Sequence, residues 1–319
     1  MTQRVAVLLP CYNEAAAISR TVADFRAALP TATIYVYDNN SSDLTRELAA
    51  EAGAIVRTER QQGKGAVVRR MFADIDADVY VMADGDATYD AAAAPAMIER
   101  LCAEKLDMVI GTREVEASTV YRPGHQAGNK LLTRLLASLF GRSFSDILTG
   151  YRVFSRRFVK SFPVLSSGFE IETEISVHAL ELSMPVAEVM TKYGMRPYGS
   201  VSKLSTYSDG WRILMTMINL YRSERPAIFF SAIAGILQTI ALSLTVPLLF
   251  TFAQTGLVPR LPTAILVTGL TIVAVLAVFA GLILDTVTKG RREIKRLIYL
   301  QHAAPSDCNV GLLSASRSE

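Results

Sequence analysis

The chain has 319 residues, half of them apolar, and its 33 basic against 30 acidic side chains leave a formal charge of only +3. That length allows one large or two modest domains; the composition excludes a polar disordered chain, and the near balance of charge gives no reason to expect a nucleic-acid partner. Before about residue 225 apolar and charged segments alternate, and after it come two long runs without an internal charge.

In chain order, "VAVLLP" (5–10), "TIYVYD" (33–38), "AIVRT" (54–58), "VYVMAD" (79–84) and "DMVIGT" (107–112) read as strands. Between them "EAAAISRTVADFRAAL" (14–29), "DLTRELAAEAG" (43–53), "GAVVRRMFADID" (65–76) and "AAPAMIERLCAE" (93–104) have helical spacing. Strict alternation predicts βαβ units and a mostly parallel sheet covered on both faces, an α/β fold. Ligands of such sheets sit at the carboxyl ends of the strands. At those ends stand Pro10, Tyr12, Asn13 and Glu14, then Asp38 with "NNSSD", then "QQGKG" with Lys64. Asp84, Gly85, Asp86 and Asp90 follow, and last Arg113. Carboxylates this close repel unless a positive charge sits among them, so the 84–90 cluster calls for a cation.

Beyond 113 the pattern changes. "QAGNKLLTRLLASLFG" (126–141) is helical; "SFSDILTGYRVFSRRF" (143–158) reads as a turn, a strand and a Ser-capped helix. "GFEIETEISVHALELS" (168–183) is a further helix, "PVAEVMTKY" (185–193) a further strand and "RPYGSVSK" (196–203) a basic loop. His125 and His178 have no evident partner and read as surface or core residues. The three cysteines, at unrelated spacings, suggest neither a disulfide framework nor a zinc site. Residues 206–225 form an amphipathic helix carrying Trp211 that either lies on a membrane surface or packs on the domain.

The two apolar runs, 226–254 and 263–284, each exceed the ~20 residues that cross a bilayer core. A short loop joins them into a hairpin, with helices expected at about 226–253 and 263–286 inside a 226–288 membrane region. Arg222 and Arg225 precede it and "KGRREIKR" follows, against one arginine in the loop, so both ends are expected on the cytoplasmic side. The opening "MTQRVAVLLPCYNEA" lacks the apolar core and cleavage site of a signal peptide, so residues 1–205 are expected to form a cytosolic domain and 289–319 a basic cytoplasmic tail.

"LLPCYNEA", "YDNNSSD", the pair in "DGD", "GTR", "DILTGYR" and "RPYGSVSK", in that order, resemble the family-two glycosyltransferases of the GT-A, Rossmann-like fold. With the trailing hairpin, the resemblance narrows to the polyprenyl-phosphate enzymes, among them dolichyl-phosphate mannose synthases and bactoprenol glucosyltransferases. It covers roughly residues 4–224 by motif and the remainder by architecture.

The resemblance implies inverting transfer of a sugar from a UDP- or GDP-linked donor to a membrane polyprenyl phosphate, with undecaprenyl phosphate favoured. The setting is a bacterial cytoplasmic membrane and cell-envelope polysaccharide, and some relatives of this kind are tetramers. It implies that Pro10, Tyr12, Asn13, Glu14 and Asp38 hold the nucleoside. Asp84 and Asp86, about Gly85, would bind Mg²⁺ or Mn²⁺ on the donor pyrophosphate, with Asp86 the direct ligand and Asp84 a second ligand, a ribose contact or a group that orients its neighbour. Arg113, Arg122, Arg196 and Lys203 correspond to phosphate-binding residues, and Lys64 stands with them on the donor side. Asp146 corresponds to an aspartate that orients or deprotonates the acceptor; Glu172 either faces the acceptor or belongs to a solvated helix face. Arg152 binds phosphate or pairs with Asp146. Where dolichyl-type members carry a metal-binding glutamine, this chain has Thr88, so water or Asp90 would fill that place. A lipid phosphate is largely dianionic near neutral pH, its second pKa being about 6, so no strong general base is required.

Three rivals are weighed. A polysaccharide or glycolipid synthase of the same family would carry a Gln-x-x-Arg-Trp motif, and the only tryptophan, Trp211, follows "SDG". A nucleotidyltransferase would have a Gly-rich basic loop after the first strand, where this chain has "CYNEA". A non-enzymatic nucleotide-sugar-binding membrane protein would have lost the metal and phosphate groups, which are present.

Overall fold

A computed structural model describes residues 3–114, 133–134, 136–138, 141, 144–164, 168, 170–194, 215, 218–258 and 260–305. Seven strands form one sheet in the order β3-β2-β1-β4-β6-β5-β7. The strands are β1 (Val5–Cys11), β2 (Thr33–Asp38), β3 (Ile55–Thr58), β4 (Val79–Met82), β5 (Met108–Glu114), β6 (Arg152–Ser155) and β7 (Val186–Lys192). The helices of this unit are α1 (Ile18–Ala28), α2 (Thr45–Glu51), α3 (Lys64–Asp74), α4 (Ala94–Ala103), α5 (Arg156–Ser161) and α6 (Ile171–Glu181). Every residue of β1 and β4 is buried, as expected of central strands covered on both faces.

The chain runs from β1 outward through β2 to β3, then returns to place β4 on the other side of β1. This reversal opens a crevice beyond the carboxyl ends of β1 and β4, where ligands of open α/β sheets bind. Among the described strands β6 alone runs antiparallel, between β4 and β5. Its start, not its end, therefore lies at the carboxyl rim, and it carries the preceding Asp146–Tyr151 segment there. Ser155 ends β6 and caps α5, accepting from the amide of Phe158 at 3.2 Å. Cys102 is disulfide-bonded, which corrects the reading that the cysteine spacing implies no such link. Spacing reveals frameworks, not a link between separate segments.

His178 lies in the core against Phe158 and Phe162, its Nε2 3.1 Å from Ser161 Oγ. Burial, with the Lys295 charge second, pushes its pKa from 6.5 down to about 3. The unfolded chain thus takes up the proton first, so the neutral ring's contribution is present above pH 6.5 and is lost as the pH falls. Below that point stability is expected to drop by about 1.4 kcal/mol per pH unit from this group. His178→Phe should flatten that part of a pH–denaturation curve; an unchanged slope would refute the assignment.

Contacts divide the chain into two units, Met1–Trp211 with Ile294–Glu319, and Arg212–Glu293. In the first, Lys295 reaches Glu181 at 2.6 Å, and the Tyr299 hydroxyl donates to Asp107 at 2.9 Å. In the second lie α7 (Pro226–Thr255) and most of α8 (Leu261–Leu300), of 30 and 40 residues, both long and apolar enough to cross a membrane. Gly256, at φ 67°, ends α7 in the left-handed conformation. Ala234, Ala241, Ala274 and Gly281 are the buried small residues of this pair, and a Cβ on Gly281 would meet the Phe230 side chain at 3.0 Å. Most other apolar side chains of the two helices are exposed. Where the sequence suggested a helix to about 286 and then a tail, α8 continues through the basic segment to Leu300. There Arg291 and Arg292 hold the buried Glu224 at 3.2 and 2.7 Å.

Candidate active site

The β1–β2 side of the crevice is built by loops that bond to each other. After Pro10 on β1, Asn13 turns the chain at φ 51°; its amide donates to Ser41 Oγ and its Oδ1 accepts from the Ser42 amide, both at 2.8 Å. The Glu14 amide donates to Thr45 Oγ1 at 2.8 Å, and Tyr12 stays partly exposed. Asp38, fully buried at the end of β2, accepts from the Ser41 amide at 3.1 Å. Asn39, which the sequence reading left unassigned, binds the 59–63 loop: its Nδ2 donates to the Glu59 and Gln61 carbonyls and its Oδ1 accepts from Gly63. Gly63 has φ 124°, open to glycine, and aims Lys64 inward as the first residue of α3.

On the β4 side Asp84, Gly85 and Asp86 follow the strand. The Thr21 hydroxyl donates to the Gly85 carbonyl at 3.2 Å. Ala87 has φ 56°, a conformation that disfavours side chains and that the surrounding bonds impose. Asp86 is buried and its Oδ1 accepts from the Thr88 hydroxyl at 2.6 Å and the Thr88 amide at 3.2 Å. Thr88 therefore orients Asp86. Asp90 caps the turn at 91–93, accepting from the Ala92 amide at 3.0 Å.

The positive charge that the acidic cluster demands is Lys64. Its ammonium donates to Asp84 Oδ1 and, at 2.6 Å, to Glu172 Oε1. Burial works against this charge, but Asp84 and then Glu172 outweigh it and hold the pKa above the ordinary lysine range. Glu172 is thus a buried member of the site and not part of a solvated face; its Oε2 is buried with no hydrogen-bond partner among the described residues. The loop before β6 closes on Asp84. A Cβ on Gly150 would stand 2.8 Å from Asp84 Oδ2, so only glycine lets the backbone approach. The Gly150 amide donates to Tyr89 Oη at 2.8 Å. Burial first, then Asp84, raises Tyr89 far enough that it stays a neutral phenol.

Arg113 at the end of β5 grips Asp146 with a fork, Nε to Oδ2 at 2.6 Å and Nη2 to Oδ1 at 2.8 Å, and lies over the Tyr193 ring. Asp146 pairs with Arg113, not with Arg152. Arg152 is wholly buried and grips the carbonyls of Ile147 at 2.5 Å, Thr149 at 3.1 Å and Glu172 at 3.2 Å, with Ser176 Oγ at 3.0 Å. It is an interior brace and binds no phosphate. Arg122, Arg196 and Lys203 lie outside the described residues.

Among the described residues no three His, Cys, Asp or Glu side chains are arranged to hold a metal ion. Mg²⁺ and Mn²⁺ ordinarily take one or two carboxylates and complete their shell from phosphates and water. Asp84 and Asp86 fit an ion of that kind, arriving with a pyrophosphate.

Residues 6–162 match the model of the family described as Glycosyl transferase family 2. Glycosyltransferase AglJ of Haloferax volcanii is 37% identical over 72% of this chain and 76% of its own length. Undecaprenyl-phosphate mannosyltransferase of Micrococcus luteus is 26% identical over 63% of this chain and 88% of its own. Among solved structures, glucosyl-3-phosphoglycerate synthase of Mycobacterium tuberculosis, crystallised with Mn²⁺, UDP and glucosyl-3-phosphoglycerate, superposes with a TM-score of 0.56 at 22% identity. The match covers 69% of this chain and 79% of that one and shows a common GT-A-like fold.

Proposed function

Because the chain belongs to glycosyl transferase family 2, we propose that it transfers a sugar, with inversion, from a UDP- or GDP-linked donor to membrane undecaprenyl phosphate. The observation that carries the reading is the pair Asp84 and Asp86 at the β1/β4 crevice, balanced by the buried Lys64, in a chain that also has two exposed apolar helices. The crevice has a nucleoside side, from Tyr12 to Asp38, and a diphosphate side, from Lys64 to Asp86. A relative named for undecaprenyl phosphate and a fold neighbour crystallised with Mn²⁺ and UDP support the two substrates.

Asp84 and Asp86 would hold Mg²⁺ or Mn²⁺; when bound, that ion withdraws charge from the departing nucleotide diphosphate. The remaining work falls to the chain. Thr88 and Gly150 fix the two aspartates before the donor arrives. Arg113 supplies a guanidinium to reacting phosphates, and Asp146 holds it in place instead of serving as a base. Arg122, Arg196 and Lys203 add positive charge so that two anions can meet. The helices α7 and α8 cross a bacterial cytoplasmic membrane as a hairpin, and the positive flanks put residues 1–205 on the cytosolic side.

The test incubates membranes containing the protein with undecaprenyl phosphate and radiolabelled UDP- and GDP-sugars, with and without EDTA. Label should enter the lipid phase from one donor, stop on chelation and return with Mn²⁺ or Mg²⁺. Transfer at full rate in EDTA would overturn the metal assignment. Label found only in polymer would turn the reading to a polysaccharide synthase.

A further inference from the structure

We propose that Glu172 is a positioning residue that acts on the donor through Lys64, holding the ammonium on Asp84 so that Asp84 meets the donor in one fixed pose. The inference rests on the reading of Asp84 as part of the donor–metal site.

A lysine side chain is long and flexible, and one carboxylate alone would not fix where its charge sits. Here the ammonium is buried and is shared between Asp84 Oδ1 and Glu172 Oε1. Glu172 is itself immobilised: its carbonyl accepts from Arg152 Nη2 at 3.2 Å and from Ser176 Oγ at 2.9 Å. The backbone just before Lys64 is fixed, the Gly63 amide donating to Asn39 Oδ1 at 2.7 Å. Asp84 is thus confined between an ammonium on one oxygen and the Gly150 backbone close to the other. Glu172 Oε2 makes no hydrogen bond among the described residues, so Lys64 is the partner that aims this carboxylate.

Charge points the same way. Asp84, Asp86 and Glu172 carry three negative charges and Lys64 one positive, leaving two for a single divalent cation to neutralise. Without Glu172 the ammonium would either neutralise Asp84 in full or swing onto the pyrophosphate. In both cases the ion would find a weaker site.

A double-mutant cycle separates action through Lys64 from direct action. Full-length protein in detergent is titrated calorimetrically with Mn²⁺ plus UDP or GDP, whichever the wild type binds, for Glu172→Gln, Lys64→Gln and the double variant. Glu172→Gln should weaken Mn²⁺–nucleotide binding by about tenfold, the scale of losing a residue that orients a metal ligand. In the Lys64→Gln background it should change nothing further. Donor KM should rise with kcat within about twofold, the mark of a ground-state effect. Unfolding temperatures report that each variant folds, and Lys64→Met replaces Lys64→Gln if the latter does not. Effects that multiply, or a kcat loss with unchanged binding, would overturn this inference alone and make Glu172 a residue that touches sugar or acceptor. A wild type that binds no Mn²⁺–nucleotide would overturn the donor-site reading and this inference with it.

Discussion

Asp86→Asn is expected to lower kcat/KM for lipid-linked transfer by on the order of 10³-fold, about 4 kcal/mol of transition-state stabilisation. The unfolding temperature should stay within a few degrees. The substitution is chosen because Asp86 has two jobs that can be separated. Its Oδ1 accepts from the Thr88 amide and hydroxyl, which asparagine can also do. Its charge, which asparagine lacks, would face the donor pyrophosphate and its cation in the proposed reaction. Alanine would confuse the two, since removing the acceptor leaves a buried Thr88 amide unsatisfied at a cost of about 1–3 kcal/mol. Steady-state kinetics beside thermal unfolding in the same detergent decide the matter. A variant keeping a tenth or more of wild-type activity would mean that Asp86 orients the loop and carries no catalytic charge.

The strands legible in the sequence were those whose burial leaves an unbroken apolar run. β1 and β4 are covered on both faces, and their residues say so without help from neighbours. The carboxyl-end rule then placed Glu14, Asp38, Lys64, Asp84, Asp86 and Arg113 on one rim. Partners were a different matter, because pairing across the sheet depends on neighbours distant in sequence. β6 was readable as a strand, but its antiparallel insertion between β4 and β5 was not, and that insertion decides what Asp146, Gly150 and Arg152 can touch. Hence Arg152 read as binding phosphate or pairing with Asp146, whereas Asp146 pairs with Arg113, 33 residues away. Glu172 lies 108 residues from Lys64, and no local pattern joins them. Asn39 and Tyr89 were missed because each serves another loop, and Thr88, noted only as standing where a metal-binding glutamine is usual, bonds Asp86. A positive φ at Ala87 leaves no trace in the residue type. The basic stretch after 288 read as a tail because charge marked it as outside a membrane, although charge does not stop a helix and most residues of the stretch, Gly290 aside, are good helix formers.

Arg152→Met should destabilise the first unit by about 3–5 kcal/mol, the range for stripping a buried charged group from the partners that surround it. The guanidinium is wholly buried, and burial draws its pKa down to about 10, so it remains charged at neutral pH. It is satisfied mainly by oxygens that cannot move away: the carbonyls of Ile147, Thr149 and Glu172, with Ser176 Oγ. Methionine fills much of the volume but offers none of these donors, leaving several buried acceptors unmatched. The damage should also reach the site. Ile147 follows Asp146, Thr149 precedes Gly150, and Glu172 holds Lys64, so one side chain ties the Asp146–Tyr151 segment to the first turn of α6. Arg152→Lys should recover little, because a single ammonium cannot reproduce a planar fork that reaches the start of β6 and the first turn of α6 at once. Chemical denaturation in detergent, followed by far-ultraviolet circular dichroism, measures the loss. A change below about 1 kcal/mol in both variants, within the range of an ordinary surface substitution, would mean that water replaces the guanidinium and that the brace is dispensable.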